Sequence, residues 1–245
     1  MPPLEPPFTP HQGPADLGSV DCDDIGSPGP FLGAWQKSPH GGGGGGTCKG
    51  TQWECGHRVV GVAHWKGTIA PGQVSDALVS TTDFLPTIAT IAGVALPTDR
   101  SFDGLDLSPV ILHGNHSAGH RTLFHPSGGG YGPTAVSAMR LGKYKAHYMT
   151  HGSTGCRLPD GTARGGSGKT KRFHDPPLIF DLASDPAEST PVDPTTIPSV
   201  VAEIQREYQA FWHDVNTTMR STTSYAGNPA DRPCSNEASS CCRLH

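Results

Sequence analysis

Residues 197–219 constrain the fold more than any other stretch. Val200, Val201, Ile204, Tyr208, Phe211, Trp212 and Val215 recur there at helical spacing and form one apolar face. A helix so marked must cover something. Four short β-prone segments precede it, at 122–125, 135–140, 144–149 and 178–182, each bounded by turn residues. Leu141-Gly142-Lys143 reads as a tight hairpin connection between the middle two. Four antiparallel strands under one long helix make a small α+β layer.

The region upstream reads as the end of a larger α/β unit. Residues 58–65, with Val59, Val60 and Val62, predict a short buried strand. Residues 76–92 predict helix through Ala77, Leu78, Leu85, Ile88, Ile91 and Ala92, with either a kink or two helices meeting at Asp83-Phe84-Leu85-Pro86, and ended by Gly93. A shorter helix should start near Ser108-Pro109. Residues 1–30 are Pro-rich and without periodicity, and Gly41 to Gly46 form an unbroken glycine run. With 32 glycines, 24 prolines and only 16% charged residues, the chain is rich in loops.

Composition also excludes functions. No window approaches the ~18–20 uninterrupted apolar residues of a membrane span. Met1-Pro2-Pro3-Leu4-Glu5-Pro6-Pro7 lacks the basic head and apolar stretch of a signal peptide. A net charge of −4 and a pI of 6.3 provide no basic field for nucleic acid.

Seven cysteines, at 22, 48, 55, 156, 234, 241 and 242, fall at no zinc-like spacing. Cys234, Cys241 and Cys242 lie in a tail without apolar periodicity, where disulfides would be needed to hold a shape. Sequons at Asn115-His116-Ser117 and Asn216-Thr217-Thr218 fit the same oxidising compartment. An extracellular or lysosomal location follows, although no signal peptide is evident.

Two chemical motifs lose their force in context. Ala163-Arg164-Gly165-Gly166-Ser167-Gly168-Lys169-Thr170 satisfies a relaxed phosphate-loop pattern. It has loop before it and Pro176-Pro177 soon after, so no helix N-terminus can cradle phosphate. It reads as a solvated basic loop. His147 and His151 are four apart on a strand running into a loop, while His113, His116 and His120 are scattered, so no metal or base constellation emerges.

Ordered motifs carry the reading further. The run Gly46-Thr47-Cys48-Lys49-Gly50-Thr51-Gln52-Trp53-Glu54-Cys55-Gly56-His57-Arg58 resembles the sulfatase segment Gly-Lys-x-x-x-x-Glu-Gly-Gly-x-Arg. The likeness continues through His64-Trp65-Lys66-Gly67-Thr68-Ile69-Ala70-Pro71-Gly72, Asp83-Phe84-Leu85-Pro86-Thr87 and Asp103-Gly104-Leu105-Asp106-Leu107-Ser108-Pro109. It ends with Leu141-Gly142-Lys143-Tyr144-Lys145-Ala146-His147, Pro176-Pro177-Leu178-Ile179-Phe180-Asp181-Leu182 and Ser184-Asp185-Pro186-Ala187-Glu188. The chain resembles the C-terminal half of the arylsulfatase family, in the group of arylsulfatase A and the galactosamine-6-sulfatases.

The resemblance implies an alkaline-phosphatase-like α/β fold, of which only the C-terminal part is present. A small α+β domain with a four-stranded antiparallel sheet and a long helix follows it. The divisions are an irregular arm at 1–45, a remnant of the large domain at 46–118, the small domain at 119–222 and a Cys-rich tail at 223–245. The family hydrolyses sulfate esters with a formylglycine made in a Cys-x-Pro-x-Arg motif, beside a divalent cation, usually calcium, held by Asp-Asp and Asp-Asn pairs. Neither Cys-x-Pro-x-Arg nor the early Asp-Asp pair occurs here, and His11-Gln12 stand where the later pair would fall. Calcium belongs to intact family members and is not expected on this chain.

Lys49 matches the lysine that reaches the sulfate group, which makes it the catalytic and substrate-binding candidate. His151 is a second pocket residue, and His174 a weaker one. Cys48 and Cys55 stand where the family has glycine, and they either pair with each other or one of them pairs with Cys156. The expected partner is a sulfated small molecule or sulfated glycan. A non-catalytic secreted glycan binder using Lys49, Arg164, Lys169, Lys171 and Arg172 is the alternative, and a truncated gene product is a third reading.

Overall fold

The computed structural model describes residues 29–38, 40, 50–126, 136–152, 156–157, 163–164 and 171–218. Helices α1 (Glu54–His57), α2 (Phe84–Ala92) and α3 (Ser108–His113) come first. Strands β1 (Thr122–Pro126), β2 (Val136–Leu141), β3 (Tyr144–Thr150), β4 (Cys156–Arg157), β5 (Ala163–Arg164) and β6 (Arg172–Asp181) follow, then α4 (Pro198–Thr218). β1, β2, β3 and β6 form an antiparallel sheet in that order, and β4 pairs with β5 separately. The four-stranded sheet and long helix are those predicted.

Sequence chemistry explains the sheet. Leu141 pairs with Tyr144, leaving Gly142-Lys143 as a two-residue turn in which Gly142 supplies the positive φ of 55°. β6 starts six residues earlier than Leu178, because its first half pairs with the end of β3 (Met149 with Phe173, Thr150 with Arg172) beyond a register shift. Pro176 and Pro177 are tolerated because β6 is an edge strand.

The two faces of the sheet differ. Residues opposite one another in the ladder share a face, as do alternate residues along a strand. On one face Met139, Leu141, Ala146 and Ile179 are buried against Ile204 of α4, with Phe124, Tyr148, Val200, Val201 and Tyr208 around them. Tyr148 and Tyr208 stack at 4.1 Å. Burial of Ile204 alone is worth roughly 1.5–3 kcal/mol. Arg121 pins the same helix by pairing with Glu203 and Glu207. The opposite face carries His125, Ala138, Arg140, Lys145, His147, Leu178 and Phe180.

Two compact units divide between Tyr208 and Gln209. The description above belongs to the first. In the second, residues 209–218 continue α4, and the Phe211 and Trp212 rings meet edge to face at 5.5 Å.

Two upstream expectations are corrected. Residues 58–65 form no regular element, no strand among the described residues pairs with them, and Val59, Val60, Val62 and Trp65 are exposed. Branched side chains favour extended backbone, but a strand also needs a partner ladder. The helix predicted over 76–92 begins only with a 3₁₀ turn at Thr81–Asp83 and then α2. Ser80 and Asp83 cap that start reciprocally. Of the two alternatives at Asp83–Pro86, two helical segments meet there, and Pro86 sits in the first turn of α2, where its missing N–H costs nothing. Gly93 closes α2 at φ 66°, as predicted. Phe84, Leu85, Ile88 and Ile91 of α2 point outward, exposed like the valines upstream.

Candidate functional site

The segment from Thr51 to Glu54, which follows directly on Lys49-Gly50, is buried throughout. It rests on the polar face of the sheet. Trp53 is 1% exposed; its ring lies 4.5 Å from the His147 ring and 5.8 Å from Phe180, and its Nε1 donates to the His151 carbonyl at 3.1 Å. Phe180, Leu182, Trp35 and Leu178 complete this second core.

Charges lock the segment in place. Glu54 opens α1, and its Oε1 accepts from the fully buried Lys145 at 2.9 Å while its Oε2 accepts from Arg140 at 2.9 Å. Arg58 adds a more exposed contact at 3.6 Å. Burial pushes the Glu54 carboxyl up, but Lys145 and Arg140 outweigh it and hold the pKa at about 2. On the other side stands Glu188, also fully buried. Its Oε2 accepts from the Glu54 backbone N–H at 2.6 Å, its Oε1 meets His147 Nε2 at 2.8 Å, and Lys145 lies 3.7 Å away. A carboxylate only accepts, so His147 donates from Nε2. Burial holds His147 below its ordinary pKa despite the Glu188 charge. Its Nδ1 is buried without a partner, as is His125 Nε2 on the same face. His125 is also pushed well down, first by burial and then by the Lys145 charge.

The residues singled out in the sequence fall as follows. Lys49 and Cys48 lie outside the described residues, as do Cys234, Cys241, Cys242 and Lys169. Gly50, the last described residue on the way to Lys49, has φ 68°. His151 follows β3, and its Nδ1 donates to the Gly152 carbonyl at 3.0 Å. The Trp53–His151 bond thus brings the His151 loop beside the buried Thr51–Glu54 segment. His174 joins Thr150 at 2.8 Å, on β6 and β3. Cys55 lies in α1 and is disulfide-bonded, and Cys156 lies in β4. Asn115 and Asn216 are both exposed. Arg164 lies in β5, and Lys171 and Arg172 are exposed at the start of β6.

Sequence reasoning assigned no role to Glu54, Lys145, His147 or Glu188, although all four stand inside quoted motifs. The available signal was Lys145 and His147 alternating with Ala146 along a strand, which places two basic groups on one face.

A family model described as the C-terminal region of aryl-sulfatase matches residues 118–244. The chain belongs to the sulfatase family. It is 38% identical over 239 residues to arylsulfatase G of Canis lupus familiaris, covering 96% of this chain and 42% of that protein. Over 141 residues it is 44% identical to arylsulfatase A of Bos taurus, covering 58% of this chain and 27% of that one. The crystal structure of the PsFucS1 sulfatase from Pseudoalteromonas sp. aligns with a TM-score of 0.55 at 26% identity, over 73% of this chain and 33% of that chain. This sulfatase chain therefore spans well under half the length of the relatives it matches.

Calcium, which the family implies, takes about 6–8 oxygen ligands. The Glu54 and Glu188 oxygens are occupied by Lys145, Arg140, His147 and a backbone N–H. The described residues contain no cluster of three His, Cys, Asp or Glu side chains that could hold a metal. None of the described helices is long and apolar enough to cross a membrane.

Proposed function

We propose that this chain supplies the sulfate-recognising C-terminal part of an arylsulfatase-type sulfuric ester hydrolase. The observation that carries the reading is the buried segment Thr51–Glu54, clamped by Lys145, Arg140 and Glu188, from which the motif lysine departs one glycine away. On this reading the Lys49 ammonium offsets charge gathering on the leaving ester oxygen. His151, tied to the buried segment through Trp53, lines the pocket beside it. The substrate is a sulfated small molecule or glycan.

On this reading the chain by itself turns over no sulfate ester, since its sequence holds no Cys-x-Pro-x-Arg. Residues 46–118 are then the end of a larger α/β domain. The exposed Val60, Val62, Ile88 and neighbours support this, because a self-sufficient domain seldom leaves so many large apolar side chains in water. The disulfide at Cys55 and the exposed sequons at Asn115 and Asn216 support a lysosomal or extracellular setting.

The test uses purified chain, calcium and 4-nitrocatechol sulfate. Binding by calorimetry that weakens strongly but measurably in Lys49→Ala, with no turnover, is the expected result. Turnover well above the Lys49→Ala background refutes the inactivity, and absence of binding refutes the sulfate role. The exposed Lys171 and Arg172 motivate a second reading, a non-catalytic binder of sulfated glycans. Salt-sensitive retention on heparin, lost when Arg164, Lys169, Lys171 and Arg172 all become Ala, would favour it.

A further inference from the structure

Glu188 is the one non-glycine residue among those described with a positive φ, at 52°. A non-glycine residue in this conformation carries a backbone penalty that persists only where its surroundings over-determine it. The surroundings here are unusually complete. The Glu188 N–H donates to the Asp185 carbonyl at 3.1 Å, and its own carbonyl accepts from Trp35 N–H at 2.9 Å. Asp185 also gathers the N–H groups of Ser189 and Thr190, so the turn is held from both sides.

A glycine would fit that backbone without penalty. What glycine lacks is the carboxylate, which ties two elements through three groups: the α1 N–H at Glu54, and on β3 the imidazole of His147 and the ammonium of Lys145. Gly33, at φ 52°, lets the neighbouring turn approach so closely that a Cβ there would stand 2.7 Å from Trp53. The segment after Lys49 is thus gripped from the sheet, from the 33–37 turn and from the Glu188 turn.

We infer that Glu188 is a positioning residue for sulfate recognition: its left-handed backbone aims a buried carboxylate that fixes Thr51–Glu54, the segment that follows Lys49-Gly50 in the sequence. The inference rests on the proposed sulfate role of Lys49. It differs from a plain turn role in its consequence: a turn residue at φ 52° is replaceable by glycine, whereas a positioning carboxylate is not.

The experiment compares wild type, Glu188→Gly, Glu188→Gln, Lys49→Ala and the double variant Lys49→Ala/Glu188→Gln in the full chain. Two readouts are taken: amide hydrogen exchange of residues 51–54, and calorimetric binding of 4-nitrocatechol sulfate. Glu188→Gly should accelerate exchange at 51–54 and weaken binding roughly tenfold, the size of coupling expected within one hydrogen-bonded network. Glu188→Gln, which preserves the packing, should fall between. In the Lys49→Ala background Glu188→Gln should weaken binding no further. Unchanged exchange in Glu188→Gly overturns the inference whatever the binding shows. Additive losses in the double variant also overturn it. If wild type binds nothing, the sulfate reading fails and this assignment with it; faster exchange in Glu188→Gly then shows a structural clamp only.

Discussion

Replacing Glu54 by Gln should destabilise the chain in a way that depends on pH. Glu54 is 3% exposed and its pKa is held at about 2 against an ordinary 4.5. The shift corresponds to about 3 kcal/mol, at roughly 1.4 kcal/mol per unit. The folded-state pKa is depressed, so the unfolded chain binds the proton more readily between the two values. Stability from this group is therefore fully present above pH 4.5 and is lost as pH falls through 2. At pH 3 less than half of it should remain. Gln keeps the shape and an acceptor for Lys145 but has no proton to take up, so its own contribution is flat with pH. Urea unfolding of wild type and Glu54→Gln at pH 7, 5, 4 and 3 reads the difference directly. The gap should be about 3 kcal/mol at pH 7 and should narrow steadily below pH 4.5. A gap that stays constant from pH 7 to 3, or no gap at pH 7, refutes the claim that Lys145 and Arg140 hold this carboxylate ionised.

His125→Phe should soften the acid side of the stability profile: the depressed histidine contributes stability above its unfolded pKa near 6.5 that is lost as pH falls, and phenylalanine removes that slope, as unfolding at pH 7 and 5 would show. Gly33→Ala should cost about 1–3 kcal/mol by forcing a methyl against Trp53, and loss of near-ultraviolet tryptophan dichroism should accompany it. Reducing the disulfide at Cys55 should lower stability by about 2–4 kcal/mol, visible as an earlier urea midpoint in dithiothreitol. Val60→Asp with Ile88→Asp should leave stability within about 0.5 kcal/mol while reducing the fluorescence of bound anilinonaphthalene sulfonate, since both side chains stand in solvent.

The small domain was legible because its signals are local. Alternation at 144–149, the Gly142 turn and the apolar stripe on α4 each depend on neighbours within a few residues. Residues 58–65 misled because a valine-rich run reports a preference for extended backbone and says nothing of whether a partner strand stands beside it. Pro86 left two readings open: the same residue is a kink in mid-helix and harmless in a first turn, and only the Ser80–Asp83 cap decides which. The ionic clamp was the hardest to see. Glu54 and Lys145 are 91 residues apart and Glu54 and Glu188 are 134 apart, so no periodicity connects them. Family motifs marked each residue separately without pairing them.

The two faces of the sheet solve different problems. Toward α4, apolar contacts among Met139, Leu141, Ile179 and Ile204 supply cohesion, and such contacts are non-directional. They hold a helix down but tolerate small slides along the sheet. Under α1 the contacts are charge-assisted hydrogen bonds at 2.6–2.9 Å, which weaken steeply when donor and acceptor move apart. Burying Lys145 with two carboxylates is poor value for stability alone, since a well-packed apolar trio of the same volume would often do as well or better. What the ions supply is a single permitted position for Glu54, and hence for the short segment behind Lys49. A substitution set that replaced Glu54, Lys145 and Glu188 by apolar residues of similar volume should therefore fold, and fold stably, while releasing the segment. Retained urea stability together with faster exchange at residues 51–54 is the expected pairing. Retained stability with unchanged exchange would mean that Trp53 and its neighbours fix the segment by packing, and that the charges are incidental.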